Sequence, residues 1–367
     1  MTRLRLLAAC GLAFALFTTV VAQEKKDQPP PDKDKKEAKA EDPKKDVGKK
    51  DEGKKDEGKK DATSPAGENP LACKFEKDKP IYQKMSTKTI QNIKVQGLDV
   101  GQNQEQTFFF KFEPIKQDGD KWVVKQTIEG VQMKIDIAGN PVSYDSTNES
   151  AAAGTNTALS DFFKALKGSQ FTLTINKDCT VEKVDGRDEF IKKLIQSNKQ
   201  LEALLNKILG EEAMKQMADP SFGVVPKNPV KVSDKWERKV KLTLGPLGTY
   251  ENTYYFTYKK QDGDKAEIDV TVDLKYFPPG PDQGGETLPF KIKGGKIEQV
   301  KDDKSNKGTV IFNTKTGRIE SSNISVKMNG TLTLDIGGTN TEVSLTQDQT
   351  TEVQTQDKTY VPDKKSP

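Results

Sequence analysis

The feature that most constrains this chain is a two-residue rhythm of apolar side chains that begins near Leu71. Between Ile268 and Tyr276 every second residue is apolar, and the residues between them are polar or charged. Successive side chains of a β-strand point to opposite faces, so this alternation predicts a strand with one buried and one hydrated face. We therefore expect mainly antiparallel β-structure.

The same rhythm predicts further strands separated by turns. Asp118 and Gly119 indicate a hairpin turn. After Gly130 the apolar set moves from even to odd positions, which predicts a β-bulge or a sharp bend. The paired glycines at 284–285 and 294–295 are expected in loops around a short strand. The other predicted strands are 81–95, the stretch containing Phe108, Phe110 and Phe112, and segments near 170–176, 179–184, 236–244, 249–260, 265–277, 308–314, 317–328, 330–336 and 341–354.

One long helix interrupts the strands. A 3.6-residue apolar period predicts it over about 188–209, and Gly210 is a plausible stop. Shorter helices are expected over 161–167 and 211–218. We expect the long helix to cover a sheet, with a partner-binding face as the lesser alternative.

A six-residue string, Lys116–Lys121, recurs as Lys260–Lys265 in a similar context. We infer two related β units, 71–230 with the inserted helix and 231–355, although chance similarity between Asp-Gly hairpins stays open. The fold expected is a set of strongly curved antiparallel sheets, arranged as two half-barrel-like or sandwich units. Each Asp-Gly-Asp turn offers too few oxygens for calcium, so we expect no metal.

Residues 1–22 have the features of a secretory signal peptide. Two arginines precede an apolar stretch from Leu6 to Val21, and small residues precede Gln23. This stretch is shorter than the ~20 residues that span a bilayer, which favours cleavage over a retained anchor. Because Cys10 precedes most of the stretch, lipidation is the lesser alternative. We expect an exported protein, in the periplasm or cell envelope or secreted, with no stable membrane span after cleavage.

A charged linker is expected over residues 23–70. It contains 14 lysines and 14 acidic residues, no aromatic residue, and a repeated Gly-Lys-Lys-Asp-Glu string. Such a low-complexity segment buries too little apolar surface to offset the entropy of ordering, so it should be disordered. Residues 356–367 are expected to form a disordered tail.

The composition excludes several chemistries. The sequence has no histidine, which removes the Ser-His-Asp triad, the Cys-His pair and His-liganded zinc. Nucleophile-elbow and phosphate-loop motifs are also absent from the sequence. We expect a protein that is not an enzyme, with no catalytic residues and no cofactor. A hydrolase that works with two carboxylates stays open as a minor alternative.

The net charge and the arginine content limit the classes of partner that the protein is expected to bind. The net charge is only +4, and three arginines follow residue 5. Arginine provides the planar fork that binds phosphates and base edges, so we expect no nucleic-acid partner.

Cys73 and Cys179 remain after signal cleavage. Export permits a disulfide between them, but their spacing does not decide between a disulfide and two free thiols.

Four segments carry a resemblance to a known family. They are Tyr82-Gln83-Lys84-Met85-Ser86-Thr87, Gln106-Thr107-Phe108, Glu129-Gly130-Val131-Gln132-Met133 and Pro229-Val230-Lys231-Val232-Ser233-Asp234-Lys235-Trp236. Together they resemble an uncharacterised family of exported bacterial proteins, a domain of unknown function, over most of residues 72–355. The family typically has a glycine near Ser233, where this chain departs from the pattern. The resemblance implies export and β-structure, and no activity or ligand.

Three functions agree with these observations. The first is a non-catalytic envelope or periplasmic module that binds a hydrophobic ligand such as a lipid in a groove of a curved sheet. Its candidate ligand-binding residues are Phe108, Phe110, Phe112, Tyr254 and Phe256, with a plain core role as the alternative. The second is a structural or protein-interaction component of the cell envelope that uses the linker as a spacer. The third is the carboxylate hydrolase.

Overall fold

The computed structural model describes residues 69–148, 163–196, 199, 202–218, 223–280, 288, 290–302 and 305–361. The predicted signal peptide, nearly all of the predicted linker and residues 362–367 lie outside them. The strands are β1 (Ile81–Val95), β2 (Leu98–Asp118), β3 (Lys121–Ile137), β4 (Asn140–Asp145), β5 (Gln170–Ile175), β6 (Val181–Asp185), β7 (Lys235–Thr243), β8 (Thr249–Asp262), β9 (Lys265–Phe277), β10 (Lys291–Gln299), β11 (Lys307–Asn313), β12 (Arg318–Ile336) and β13 (Thr339–Gln356).

All thirteen strands belong to one antiparallel sheet, which confirms the predicted fold class. The order across the sheet is β6-β5-β3-β2-β1-β13-β12-β10-β9-β8-β7, with β11 between β9 and β12 and β4 beside β3. The first and last strands of the chain pair in the middle of this order, from Tyr82 opposite Gln356 to Val95 opposite Val343. The expected two units therefore share a single continuous sheet.

The described helices are α1 (Arg187–Ile195), α2 (Glu202–Ile208) and α3 (Glu211–Ala218), with a further helical turn at 163–166. The region predicted as one long helix contains α1 and α2, and most residues between them lie outside the described part. Helix α3 contacts both β6 and β7, the edge strands of the sheet. The sheet is therefore rolled, with both edges against one helix. No helix in the described ranges combines the length and apolarity needed to cross a membrane.

The bulge predicted at Gly130 is present. Phe109 lies opposite Gly130 and Phe110 opposite Ile128, so Glu129 is the extra residue of β3. The change of parity keeps apolar side chains on the inner face on both sides of the bulge, because one inserted residue reverses which face each side chain points to.

Glycines 294 and 295 correct one expectation. Both lie inside β10 rather than in a loop, at a point where the register with β12 shifts. Gly295 has a φ of 143°, and a Cβ there would lie 2.5 Å from the carbonyl oxygen of Thr331. A glycine pair therefore permits close strand approach here, which the sequence alone did not distinguish from a loop.

The two halves of the sheet repeat the same local geometry about 140 residues apart. Register shifts between Pro114 and Lys116 in β2 and between Tyr258 and Lys260 in β8 occur at equivalent positions. The hairpins that follow carry the same side-chain hydrogen bonds, and the strands after them carry the same ion pairs. These are Gln117 Nε2 to Gly119 O and Gln261 Nε2 to Gly263 O, and Lys121–Glu182 and Lys265–Glu320.

Candidate functional site

The first predicted site segment is an aromatic ladder on the inner face of β2. Phe108, Phe110 and Phe112 are buried, with 7%, 4% and 2% of their surface exposed. The ring centroids of Phe108 and Phe110 are 5.7 Å apart, and those of Phe110 and Phe112 are 6.3 Å apart. We call these three residues the first aromatic ladder.

The other two predicted residues form a second aromatic ladder on β8. Tyr254 and Phe256 are buried, and their centroids lie 6.2 Å apart. Trp236 of β7 stacks on Phe256 at 5.3 Å and donates its indole N–H to the carbonyl oxygen of Val224. In the strand order β8 is separated from β2 by β1, β13, β12, β10 and β9. The two ladders therefore belong to different walls of the rolled sheet.

A polar patch that the sequence analysis did not identify lies beside the first ladder. Nine uncharged polar side chains occupy a three-by-three array on β2, β1 and β13, and each is between 2% and 6% exposed. We call it the amide lattice. Its rows are Gln106-Thr87-Thr351, Gln104-Thr89-Gln349 and Gln102-Gln91-Gln347.

The lattice is only partly hydrogen-bonded. Gln91 donates to Gln347 (3.2 Å), Gln102 to Gln104 (3.2 Å) and Gln347 to Gln349 (3.0 Å), and the hydroxyls of Thr87 and Thr351 lie 3.0 Å apart. Three buried atoms have no partner: Gln91 Oε1, Gln102 Oε1 and Gln106 Nε2. A buried donor or acceptor without a hydrogen-bond partner costs about 1–3 kcal/mol of stability, so such groups need an explanation.

Apolar side chains surround the lattice. Along β1, Met85 precedes it and Ile93 follows it on the same face, and both belong to the hydrophobic core. Across the sheet, Met133 of β3 lies opposite Gln106 and Val326 of β12 lies opposite Gln349. The lattice is therefore a polar island within the core. In the sequence, the lattice is marked by Gln and Thr at every second position of these strands, in the positions where the alternation places core residues.

The segment 69–75, which precedes β1 and which we call the strap, covers one end of the sheet. Cys73 is joined to Cys179 in the β5–β6 turn by a disulfide. Lys74 donates its backbone N–H to Gly317 O (3.2 Å) and its ammonium to Thr314 O (2.9 Å), both in the β11–β12 turn. Beneath the strap lies a cavity of about 20 Å³ that reaches Phe112, which is room for about one water.

The electrostatics of this interior favour neutral groups. All nine lattice residues are uncharged, and burial raises the pKa of the Tyr250 phenol well above its usual range on the inner face of β8. Within the described ranges, no group of three or more Cys, Asp or Glu side chains is placed to hold a metal ion. The interior therefore offers uncharged hydrogen-bonding groups beside apolar and aromatic ones.

Comparisons with known proteins give the following similarities. A lipovitellin structure described as showing lipid–protein interactions is 8% identical, with a TM-score of 0.40, and covers 80% of this chain and 26% of lipovitellin. DynF of the dynemicin pathway of Micromonospora chersina is 8% identical (TM-score 0.17; 74% of this chain and 80% of DynF). OccK5 of Pseudomonas aeruginosa is 6% identical (TM-score 0.20; 76% and 98%). The chain thus spans about a quarter of the length of lipovitellin.

No curated protein matches the chain by sequence. A family model described as a family of unknown function matches residues 119–319, which is more than half of the chain. The resemblance to an uncharacterised family is thereby confirmed, and the chain belongs to this family of unknown function, DUF6263.

Proposed function

We propose that the protein is a non-catalytic exported module of the cell envelope that binds a hydrophobic ligand against the inner face of its rolled sheet. The observation that carries the proposal is the seam between β6 and β7. These strands are the two edges of the sheet, and helix α3 contacts both of them. Displacing this helix would open the seam, and the proposal is that a ligand reaches the inner face with its aromatic ladders through it.

Opening the seam separates helix α3 from the sheet. Ala213 and Met214 of α3 are buried, so lifting the helix exposes these apolar side chains but leaves the strand pairing intact. An alkyl chain that enters gains about 0.8 kcal/mol for each buried methylene. This gain is what would offset the cost of displacing the helix and of making room among the buried side chains.

An uncharged fluorescent probe tests this proposal. We expect N-phenyl-1-naphthylamine to bind saturably to the folded protein, and native mass spectrometry of detergent-free protein to show bound lipid. Phe110→Leu should weaken probe binding because it removes the central ring of the first ladder. Phe290→Leu is the matched control, since Phe290 is equally buried but lies outside both ladders. A folded protein that binds neither probe nor lipid overturns the proposal.

The charged linker favours a second candidate, a structural or protein-interaction component of the envelope. Residues 23–70 balance 14 lysines against 14 acidic residues, which suits a hydrated spacer more than an adhesive arm. Deleting residues 23–68 should release the protein from the envelope fraction while circular dichroism shows an unchanged fold. Unchanged fractionation would count against the spacer.

A further inference from the structure

We propose that the amide lattice binds the uncharged polar head of an amphiphilic ligand whose apolar chain lies along the first aromatic ladder. The inference rests on the proposed function and adds the class of ligand. It comes from a juxtaposition on β2, where the same face carries Gln102, Gln104 and Gln106 and then the three phenylalanines of the ladder.

The unpartnered atoms are the strongest support. Gln91 Oε1 and Gln102 Oε1 are acceptors and Gln106 Nε2 is a donor, and all three are buried within one patch. Native interiors leave few buried polar groups without a hydrogen-bond partner, so three of them in one patch need an explanation. A ligand that offers both donors and acceptors completes this set.

The chemistry of the lattice selects an uncharged head. None of its nine side chains is ionisable, so a buried phosphate, carboxylate or ammonium would have no charged partner there. Hydroxyl and amide groups both match glutamine and threonine side chains. The head is therefore a saccharide or an amide, and the experiment separates these two.

The lattice side chains are 2–6% exposed, so a head reaches them only when the interior opens, and what can be compared with a head is the polar area that they would then present. Three strands spaced by about 4.8 Å, with three alternate residues on each, give a polar area of roughly 10 by 14 Å. The ladder continues the same strand for a similar length. The head lies over the glutamine half of β2 and the chain over the phenylalanine half, so polarity along one strand sets the orientation of the ligand.

Calorimetric titration with dodecyl amphiphiles below their micelle concentrations tests the proposal. The probes are dodecyl maltoside, N-dodecylacetamide and dodecylphosphocholine, which share one chain and differ in the head. We expect the maltoside or the acetamide to bind about tenfold or more tightly than the phosphocholine. The tighter of these two identifies the head as a hydroxyl or an amide.

Gln106→Met provides the decisive variant. It removes a buried donor that has no partner and nearly conserves side-chain volume. We expect a higher melting temperature and a loss of the head preference. Gln347→Met should instead lower the melting temperature, because the Gln347 amide is hydrogen-bonded on both sides. Gln126→Met is the control for binding, since Gln126 is buried outside the lattice and should leave the preference unchanged.

The outcomes separate the two proposals. Equal binding of all three dodecyl probes, with Gln106→Met unchanged in preference, overturns the lattice site and leaves the hydrophobic module standing. A crystal structure with ordered water on the three unpartnered atoms and equal binding of the probes does the same. If none of the probes binds to the folded protein, both proposals fail together.

Discussion

The two junctions between the repeated halves of the sheet are closed by different means. On one side β13 pairs with β12 and with β1 along nearly its full length, so backbone hydrogen bonds join the halves. On the other side helix α3 contacts β6 and β7 through its side-chain surface. Backbone pairing opens only by unfolding strands, whereas a docked helix separates locally. One junction is therefore continuous sheet, and the other is covered by a helix that can separate without breaking strand pairing.

Similarity between the halves goes beyond the hairpin string. Asp78 and Ser233 both have positive φ, at 60° and 79°, just before β1 and β7. The backbone N–H of Asp78 bonds to Pro114 O, and that of Ser233 bonds to Tyr258 O at the equivalent bulge. These contacts extend the local likeness of the two halves, and the division into related units 71–230 and 231–355 stays a prediction.

The largest expected effect comes from equivalent core rings. Phe112 of β2 and Phe256 of β8 are 2% and 1% exposed and occupy matching positions. Replacing either by alanine should lower the free energy of unfolding by about 3–5 kcal/mol, the usual cost of removing a buried aromatic ring. Urea denaturation measures both. Losses that differ by more than a factor of two would show that the halves are equivalent in geometry but not in packing.

The next effect concerns the strap, which is attached differently to the two equivalent turns. Its disulfide to Cys179 closes a loop with a sequence separation of 106, whereas Gly317 receives one backbone hydrogen bond. Cross-linking so long a loop restricts the unfolded chain, so Cys73→Ser/Cys179→Ser should lower stability by about 2–5 kcal/mol.

Thermal unfolding in oxidising and reducing buffer measures the contribution of the disulfide. Reduction of the natural protein should reproduce the melting temperature of the double variant, and reductant should not affect the variant. If the oxidised protein and the double variant melt together, the strap is held by its contacts with the Gly317 turn alone.

Sequence reasoning predicted the strands well and the site poorly, for a physical reason. Alternation is a local property, so it located β9 and the Gly130 bulge directly. It also placed Phe108, Phe110 and Phe112 on one face. The lattice depends on which strands become neighbours, and the pairing of β1 with β13 joins residues about 260 positions apart. Ser233 shows the same limit, because its positive φ depends on the backbone that surrounds it and not on the sequence around it.

Alkaline pH should affect the second half more than the first. Tyr250 of β8 occupies the position of Gln106 of β2, and burial raises the pKa of Tyr250 and of its neighbour Tyr276. The folded protein therefore keeps these protons at a pH where the unfolded chain releases them. The stability is fully present below about pH 10 and falls as the pH rises towards the raised pKa values.

The measurement is the slope of unfolding free energy against pH above 10. Each buried tyrosine contributes up to about 1.4 kcal/mol per pH unit. Tyr276→Phe should reduce the slope by one such contribution relative to the natural protein, and Tyr255→Phe, at an exposed position of β8, is the control for loss of a surface phenol. An unchanged slope in Tyr276→Phe would mean that this phenol ionises freely in the folded state.

A smaller gain is expected from Ser233→Gly at the entry to β7. A serine at φ 79° bears a steric cost that glycine avoids, although glycine also loses more entropy on folding. The net expectation is a stabilisation below about 1 kcal/mol. Asp78→Gly is the equivalent change in the first half. Opposite signs in chemical denaturation would show that the serine and aspartate side chains, rather than the shared backbone, determine stability there.

The smallest effects should come from the paired ion bridges Lys121–Glu182 and Lys265–Glu320. Both are largely exposed, and the hydrogen bond from Lys121 to Glu182 raises the pKa of that lysine. Exposed pairs contribute little because water and salt screen them. Double-mutant cycles replace each lysine by methionine and each glutamate by glutamine. The coupling energy of each pair should be smaller than any of the changes in unfolding free energy predicted above, and it should vanish at ~1 M NaCl. If the coupling energy persists at high salt for one ion pair only, the two halves differ at that position. If both coupling energies vanish, the pair occurs twice because the two halves share the same geometry and not because the pair stabilises the fold.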